Sequence, residues 1–122
     1  MKKTNEEYSL LYDFYGALLS ERQREVFELY NEDNLSHSEI GANLGVSRQA
    51  VHIAVSKACE ELEGYEEKLG LIAKSKAGEK LQAEIDAGID AILKDKSRTV
   101  VLDPETAKIL RRIKRLVKEL DL

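Results

Sequence analysis

Residues 36–63 read SHSEIGANLGVSRQAVHIAVSKACEELE, with two helix starts separated by a glycine turn. Ser36 and Glu39 have the spacing of a capping box, in which the two side chains satisfy free N–H groups of a first helical turn. Gly45 can adopt the left-handed conformation that ends a helix. Ser47 then has the side chain of an N-cap and opens a second helix. Two helices joined by such a tight turn are typical of a helix-turn-helix.

The second of these helices has two distinct faces. At 100° per residue, one arc is apolar and is predicted to pack against a core. Its members are Val51, Ala54, Val55, Ala58 and Leu62. The opposite arc is predicted to face solvent and consists of Gln49, His52, Ile53, Ser56 and Glu60. Cys59 is expected to be a small filler at the edge of the packed arc, and Gly64 to end the helix.

Two further helices are predicted upstream. Thr4 with Glu7, and Ser20 with Gln23, repeat the capping-box spacing. Apolar residues follow each start at helical intervals. They are Leu10, Leu11, Phe14 and Leu18 in the first helix, and Val26, Phe27, Leu29 and Tyr30 in the second. Residues 1–64 are therefore predicted to form a helix-turn-helix domain of four helices.

Residues 65–122 are predicted to form a helical extension that packs back or serves as a dimerisation element. A short helix is expected near residues 65–72, and an apolar stripe predicts another over residues 79–94. Asp103 as the cap and Pro104 at the first position then start a last helix.

The last helix combines an apolar stripe with a basic surface, and residues 99–102 before it are interpreted as an apolar connection. The stripe is predicted to be core or the seam of a homodimer, and its residues are Ile109, Ile113, Leu116 and Leu120. The cations form a possible phosphate-binding patch, for RNA more than DNA, and consist of Arg111, Arg112, Lys114, Arg115 and Lys118. The simpler interpretation of these cations is a solvated face near the negative end of their own helix.

The composition favours one class of fold and excludes others. The chain has 122 residues, of which 43% are apolar and 34% charged, and its net charge is −4. One proline and few alternating β-branched residues predict an all-α fold. The single Cys59 excludes an internal disulfide. Because the sequence has neither a long apolar run nor a signal-peptide-like start, we expect a cytoplasmic protein without membrane contact.

Several segments together resemble a known family. LSERQREVFELY at 19–30, LSHSEI at 35–40 and LGVSRQAV at 44–51 resemble region 4 of sigma factors. LYDFYGALL at 11–19 and LEGYEEKL at 62–69 narrow the resemblance to the YlxM family of small bacterial helix-turn-helix proteins. The resemblance implies an all-helical protein, encoded in many bacteria beside genes of the signal recognition particle. It also implies a regulatory role in that targeting pathway, through the particle, its RNA or control of its genes.

The helix-turn-helix supplies the candidate binding site. In such a motif on DNA, the N-terminal part of the second helix enters the major groove. The predicted nucleic-acid-binding residues are Arg48, Gln49, His52, Ser56 and Lys57. Residues 1–64 carry 6 basic and 12 acidic side chains, however, and this balance opposes phosphate. Ile53 on the same face fits a protein interface as well as a thymine methyl.

The nature of the ligand therefore stays open. DNA, the RNA of the signal recognition particle and the GTPases of that particle are all candidate partners. A transcription regulator would need a dimer whose recognition helices lie about one DNA turn apart. An adaptor for the GTPases would use the helix-turn-helix only as a scaffold.

The sequence predicts neither an enzyme nor a cofactor. It has no glycine-rich phosphate loop, no nucleophile beside a base and no spaced metal-ligand set. Asp86 and Asp90 share a helical face, but we expect them to be exposed and without a pocket. His37 is expected to be solvated in the first turn of its helix.

Overall fold

The computed structural model describes residues 3–97 and 101–120. Within these ranges the chain forms six α-helices and no strand, which confirms the all-α prediction. The helices are α1 Asn5–Tyr15, α2 Glu21–Phe27, α3 His37–Leu44, α4 Arg48–Leu69, α5 Leu71–Leu93 and α6 Pro104–Lys118. A 3₁₀ turn, Gly16–Leu18, follows α1, and a π-helical turn, Glu28–Glu32, extends α2. The chain divides into two compact units, residues 1–72 and 73–122. Of the apolar connection predicted at 99–102, residues 99 and 100 lie outside the described ranges.

The helix starts follow the capping signals of the sequence. Three capping boxes are formed, by Thr4 with Glu7, Ser20 with Gln23 and Ser36 with Glu39. Ser47 Oγ accepts the Ala50 N–H at 3.0 Å and starts α4, and Asp103 caps α6 with Pro104 at its first position. Each such cap is worth about 1 kcal/mol to its helix, so these starts are fixed locally.

The core of the first unit lies between α1, α2 and α4. Its buried residues are Tyr8, Leu11, Tyr15, Leu19, Val26, Phe27, Ile40, Val51, Val55, Ala58, Cys59, Leu62 and Ile72. The predicted packing arc of α4 is confirmed, with Ala54 half-buried at its margin. The stripe predicted for α1 is partly wrong, because Phe14 is 39% exposed and Leu18 is 55% exposed. The 3₁₀ turn after Tyr15 ends the regular helical spacing there, so Leu18 lies off the buried face.

A close backbone approach forms the turn between α3 and α4. Gly45 has a φ of +70°, as the sequence predicts for this helix end. The Val46 N–H donates to the Gly41 carbonyl at 3.0 Å. A Cβ atom on Gly41 would lie only 2.7 Å from the Val46 carbonyl oxygen. A residue without a side chain at position 41 therefore allows the turn to fold against α3.

The long helix α4 does not end at Gly64 as predicted. It continues through Gly64 to Leu69 and ends at Gly70, which has a φ of +62°. An interior glycine costs a helix only about 1 kcal/mol, and packing outweighs that cost. The half-buried Tyr65, whose ring centre lies 6.0 Å from that of Tyr15, belongs to this packing. The separate short helix expected near residues 65–72 is accordingly wrong, since those residues belong to α4 and α5.

Tyr15 and Glu66 form hydrogen bonds with the first turn of α5. The Tyr15 hydroxyl donates to Glu66 Oε1 at 2.5 Å and accepts the Leu71 N–H at 3.1 Å. Glu66 Oε1 also accepts the Ile72 N–H at 3.0 Å. These contacts satisfy two N–H groups of the first turn of α5, a role that a local N-cap residue usually fills.

In the second unit α6 lies antiparallel to the second half of α5. The Gln82 side-chain amide donates to the carbonyls of Val117 and Leu120, at 3.0 and 2.9 Å. Farther along α5, the Lys114 ammonium contacts Asp90 at 2.5 Å and Asp86 at 3.6 Å. Asp86 and Asp90 are thus half-buried around a shared cation rather than exposed as predicted, because α6 covers that face of α5.

Candidate nucleic-acid interface

The displayed edge of the helix-turn-helix is the N-terminal half of α4. Val51 and Val55 are buried on the opposite side of this half of the helix and pack it against the core. Of the predicted site residues, Arg48, Gln49, His52 and Lys57 are exposed and Ser56 is half-buried. A polar strip of this kind on the first turns of the second helix is where such motifs contact nucleic acid.

Three aromatic rings lie next to this strip. The His37 ring centre is 5.2 Å from that of His52 and 5.1 Å from that of Tyr30. His37 is half-buried rather than solvated as predicted, because α4 and the π-helical turn both contact its ring. Its Nε2 atom is sealed from solvent and has no hydrogen-bond partner within residues 3–97 and 101–120.

Two of these rings, those of Tyr30 and His37, border a shallow cavity of about 310 Å³ at the start of α3. Its lining consists of Tyr30, Ser36, His37, Ser38 and Arg48. Three hydroxyls, a guanidinium and the positive end of the α3 dipole lie around it, which is an environment that favours an anionic group. Sequence reasoning identified Arg48 and missed Tyr30 and His37. His37 directly follows the Ser36 cap, whereas Tyr30 lies six residues before it and has no local signal.

At neutral pH the positive charge of this cavity comes from Arg48 and not from His37. Burial first, then the neighbouring His52 and Arg48, holds the pKa of His37 below its ordinary value of 6.5. His37 is therefore neutral at pH 7, and Arg48 supplies the permanent positive charge. Glu39 is near the same helix end, but it serves as the partner of Ser36 in the capping box, which lowers the Glu39 pKa.

A second, apolar feature lies on the other side of the same helix. A groove of about 140 Å³ is lined by Arg22, Val26, Val46, Ala50, Val51 and Ala54. Ile53, which is 57% exposed, follows Ala50 by one helical turn. An apolar groove with an exposed aliphatic side chain nearby is the composition of a protein-contact surface.

The basic residues of α6 are placed in two different ways. Arg111, Arg112, Arg115 and Lys118 are exposed, whereas Lys114 is half-buried against Asp86 and Asp90. Lys114 therefore acts in the α5–α6 pairing, and the patch presents four cations rather than five. In the described part of the chain no group of acidic, histidine or cysteine side chains has metal-binding geometry. Among the same residues, no helix is long and apolar enough to cross a bilayer.

The geometry of α3, the Gly45 turn and α4 defines a helix-turn-helix protein. Comparison with known families gives the same class and a particular family. The UPF0122 family, described as "Putative helix-turn-helix protein, YlxM / p13 like", matches residues 1–100. The chain belongs to this family, which confirms the resemblance drawn from its sequence.

Curated relatives support the same assignment. A UPF0122 protein of Thermoanaerobacter sp. (strain X514) is 42% identical over 114 residues, which are 93% of each chain. A UPF0122 protein of Acetivibrio thermocellus is 39% identical over 114 residues, again 93% of each chain. One from Caldanaerobacter subterraneus is 54% identical over 66 residues, or 54% of this chain and 56% of that one.

Proposed function

We propose that this protein is a non-enzymatic regulator in the signal recognition particle pathway of the cytoplasm and that it binds the RNA of that particle. The observation that carries the binding is the polar strip formed by Arg48, Gln49 and His52 beside the cavity at the start of α3. The assignment to the pathway is supported by membership of the YlxM-like family, whose members are encoded in many bacteria beside genes of the particle.

The charges of the site determine how the binding should respond to salt. Arg48 and Lys57 are the cations on the displayed half of α4, so only about two phosphates are neutralised. The logarithm of the affinity should then fall against the logarithm of salt with a slope of about −1.4 to −1.8. Contacts from Gln49 and His52 to base edges would supply the rest of the free energy, which suits unpaired RNA bases.

The test is a titration of the purified protein against signal recognition particle RNA and random duplex DNA at several salt concentrations. We expect binding to the RNA and much weaker binding to the duplex. Arg48→Ala combined with Gln49→Ala should abolish binding without loss of helicity, and Arg48→Ala alone should reduce the salt slope by about 1. Lys68→Ala is the matched control, because Lys68 is an exposed cation in the last turn of the same helix.

The possible results separate the proposed ligands. Equal losses in the Arg48 and Lys68 variants would mean that α4 attracts RNA only by its general charge, which would overturn the site. Tighter binding to the duplex DNA than to the RNA would instead favour the transcription-regulator alternative.

A second candidate function is favoured by the apolar groove beside α4. If this protein binds the GTPases of the particle, an aliphatic side chain of the GTPase would insert between Val46 and Ala54, with Ile53 at the margin of the groove. Such an interface depends on apolar burial and should hardly respond to salt. Ile53→Asp should weaken binding to the GTPases and leave RNA binding within a few-fold, whereas the Arg48 variants should do the reverse.

A further inference from the structure

The hairpin formed by α5 and α6 exposes an unpartnered apolar face. Its seven leucine and isoleucine side chains are each 38–56% exposed, and we call them the hairpin face. They are Leu81, Ile85 and Ile92 on α5, and Ile109, Ile113, Leu116 and Leu120 on α6. Isolated exposed aliphatic residues are common on proteins, but a contiguous set of this size marks an interface.

Helical geometry places both stripes on the same side of the hairpin. On α5, Gln82 and Ile89 point toward α6, and the stripe lies about 70° around the helix from that direction. On α6, Lys114 and Val117 point toward α5, and the stripe is offset by about 100° in the same sense. Because the two helices run antiparallel, offsets in the same sense bring the two stripes to one side of the hairpin.

The hairpin buries little apolar surface by itself. No residue of α6 is buried in the single chain. In the described part of residues 73–122, the buried aliphatic residue is Ile89, which is 8% exposed. Most of the stability of a helix in a protein comes from packing of its apolar face, so the hairpin needs a covering surface.

We infer that the hairpin face pairs with the same face of a second copy of this chain, forming a four-helix bundle. From the exposed fractions of these seven side chains, each copy presents on the order of 600 Å² of apolar surface, so a pair would bury about 1,200 Å², the lower end of the range for stable interfaces. A self-complementary patch closes on itself under two-fold symmetry without further subunits. This inference concerns the second unit alone and does not depend on the proposed ligand of α4.

Charge selects the arrangement within the bundle. Helix α6 carries six cations and one carboxylate, whereas α5 carries three cations and four carboxylates. Two α6 helices in contact would bring like charges together, so each α6 should lie on the α5 of the other copy. Arg112 lies on the side of the α6 stripe that faces away from α5, and Glu84 lies at a similar angle on the side of the α5 stripe that faces away from α6. In this arrangement Arg112 of one copy faces Glu84 of the other.

The first test measures the mass of the full chain by light scattering over a wide range of concentration. We expect twice the chain mass of 13.8 kDa. Ile85→Asp should raise the dimer dissociation constant at least ~30-fold, since it places a charge at the centre of the face. Ala87→Asp is the matched control, because Ala87 is exposed on the opposite side of α5 and should change the constant by less than ~3-fold.

A parent chain that stays at 13.8 kDa throughout would overturn the inference and leave the face to a different protein. Equal dissociation constants for the Ile85 and Ala87 variants would overturn it as well. Circular dichroism of both variants separates loss of pairing from loss of the fold, because the core of the first unit contains neither residue.

A charge exchange tests the arrangement of the helices. Glu84→Lys alone and Arg112→Glu alone should each weaken the dimer, and the two changes together should restore it to within ~3-fold of the parent. Losses that simply add in the double variant would overturn the pairing of α6 with the α5 of the other copy.

Discussion

The hydroxyl of Tyr15 donates to the carboxylate of Glu66 at 2.5 Å, joining the end of α1 to the last turns of α4. Fifty-one residues separate the two in the chain. Burial first, and then this hydrogen bond, raises the pKa of Tyr15 above its ordinary value of 10.0. The hydroxyl is therefore a permanent donor to Glu66, and its oxygen remains the acceptor of the Leu71 N–H.

Removal of that hydroxyl should loosen the start of α5. Tyr15→Phe takes away the acceptor of the Leu71 N–H and a donor to Glu66 at a buried position, which should lower the free energy of unfolding by about 1–3 kcal/mol. Amide exchange at Leu71 and Ile72 should accelerate. Tyr65→Phe is the control, since the Tyr65 hydroxyl makes only a 3.5 Å contact with the Leu18 carbonyl. Equal losses in the two variants would contradict the role of Tyr15.

Two glycine substitutions should change stability in opposite directions. Gly41→Ala forces a methyl group to 2.7 Å from the Val46 carbonyl oxygen and should cost about 1–3 kcal/mol. Gly64→Ala meets nothing within 4 Å inside α4 and should add about 0.5–1 kcal/mol through higher helix propensity. Urea unfolding measures the free energy of unfolding of both variants. A Gly41 variant as stable as the parent would contradict the close contact between position 41 and the Val46 carbonyl oxygen.

The depressed pKa of His37 should make the first unit less stable in acid. About one pH unit or more above 6.5, His37 is largely neutral in both the folded and unfolded states and adds little pH dependence. As the pH falls below 6.5 the unfolded chain takes up a proton that the folded chain resists, so stability declines down to the folded pKa. His37→Gln should remove this part of the decline between pH 7 and pH 5 in urea unfolding. An identical pH dependence in parent and variant would exclude His37 as its source.

Lys114 should hold α6 on α5 through charge as well as packing. Lys114→Met keeps the aliphatic stem but leaves Asp86 and Asp90 near each other without their shared cation. The helical signal of the variant should fall more than that of Lys118→Met, whose parent residue is exposed. Lys114 also lowers the pKa of Asp90 below 3.8, so this contribution should be present above that pH and be lost as the pH falls through the folded value. Circular dichroism from pH 7 to pH 2 measures both effects, and equal signals in the two variants would contradict the bridge.

Local chemistry explains which parts of the fold were predictable from sequence. The caps at Thr4, Ser20, Ser36, Ser47 and Asp103 depend on residues three positions away, and all of them form. The packed arc of α4 was predictable for a similar reason, since helical periodicity alone determines which of its residues share a face.

Distant contacts explain what the sequence did not reveal. Gly64 looked like a helix end, yet packing of the following turn carries α4 on to Gly70. His37 looked solvated because its neighbours, Tyr30 and His52, come from two other elements. The contact of Tyr15 with Glu66 likewise has no local signal. In the candidate site, the exposed α4 residues were predictable, while the cavity beside them requires the assembled helices.

The buried position of Cys59 has a consequence for how copies of this chain can associate. Burial first, and then the nearby Glu63, raises the pKa of this thiol to about 11, so the folded protein presents no thiolate to an oxidant. Any pairing of chains must then be reversible and indifferent to reducing agents. The same protection leaves the native surface free for a single engineered cysteine, so that one dye can be attached to each chain without first removing Cys59.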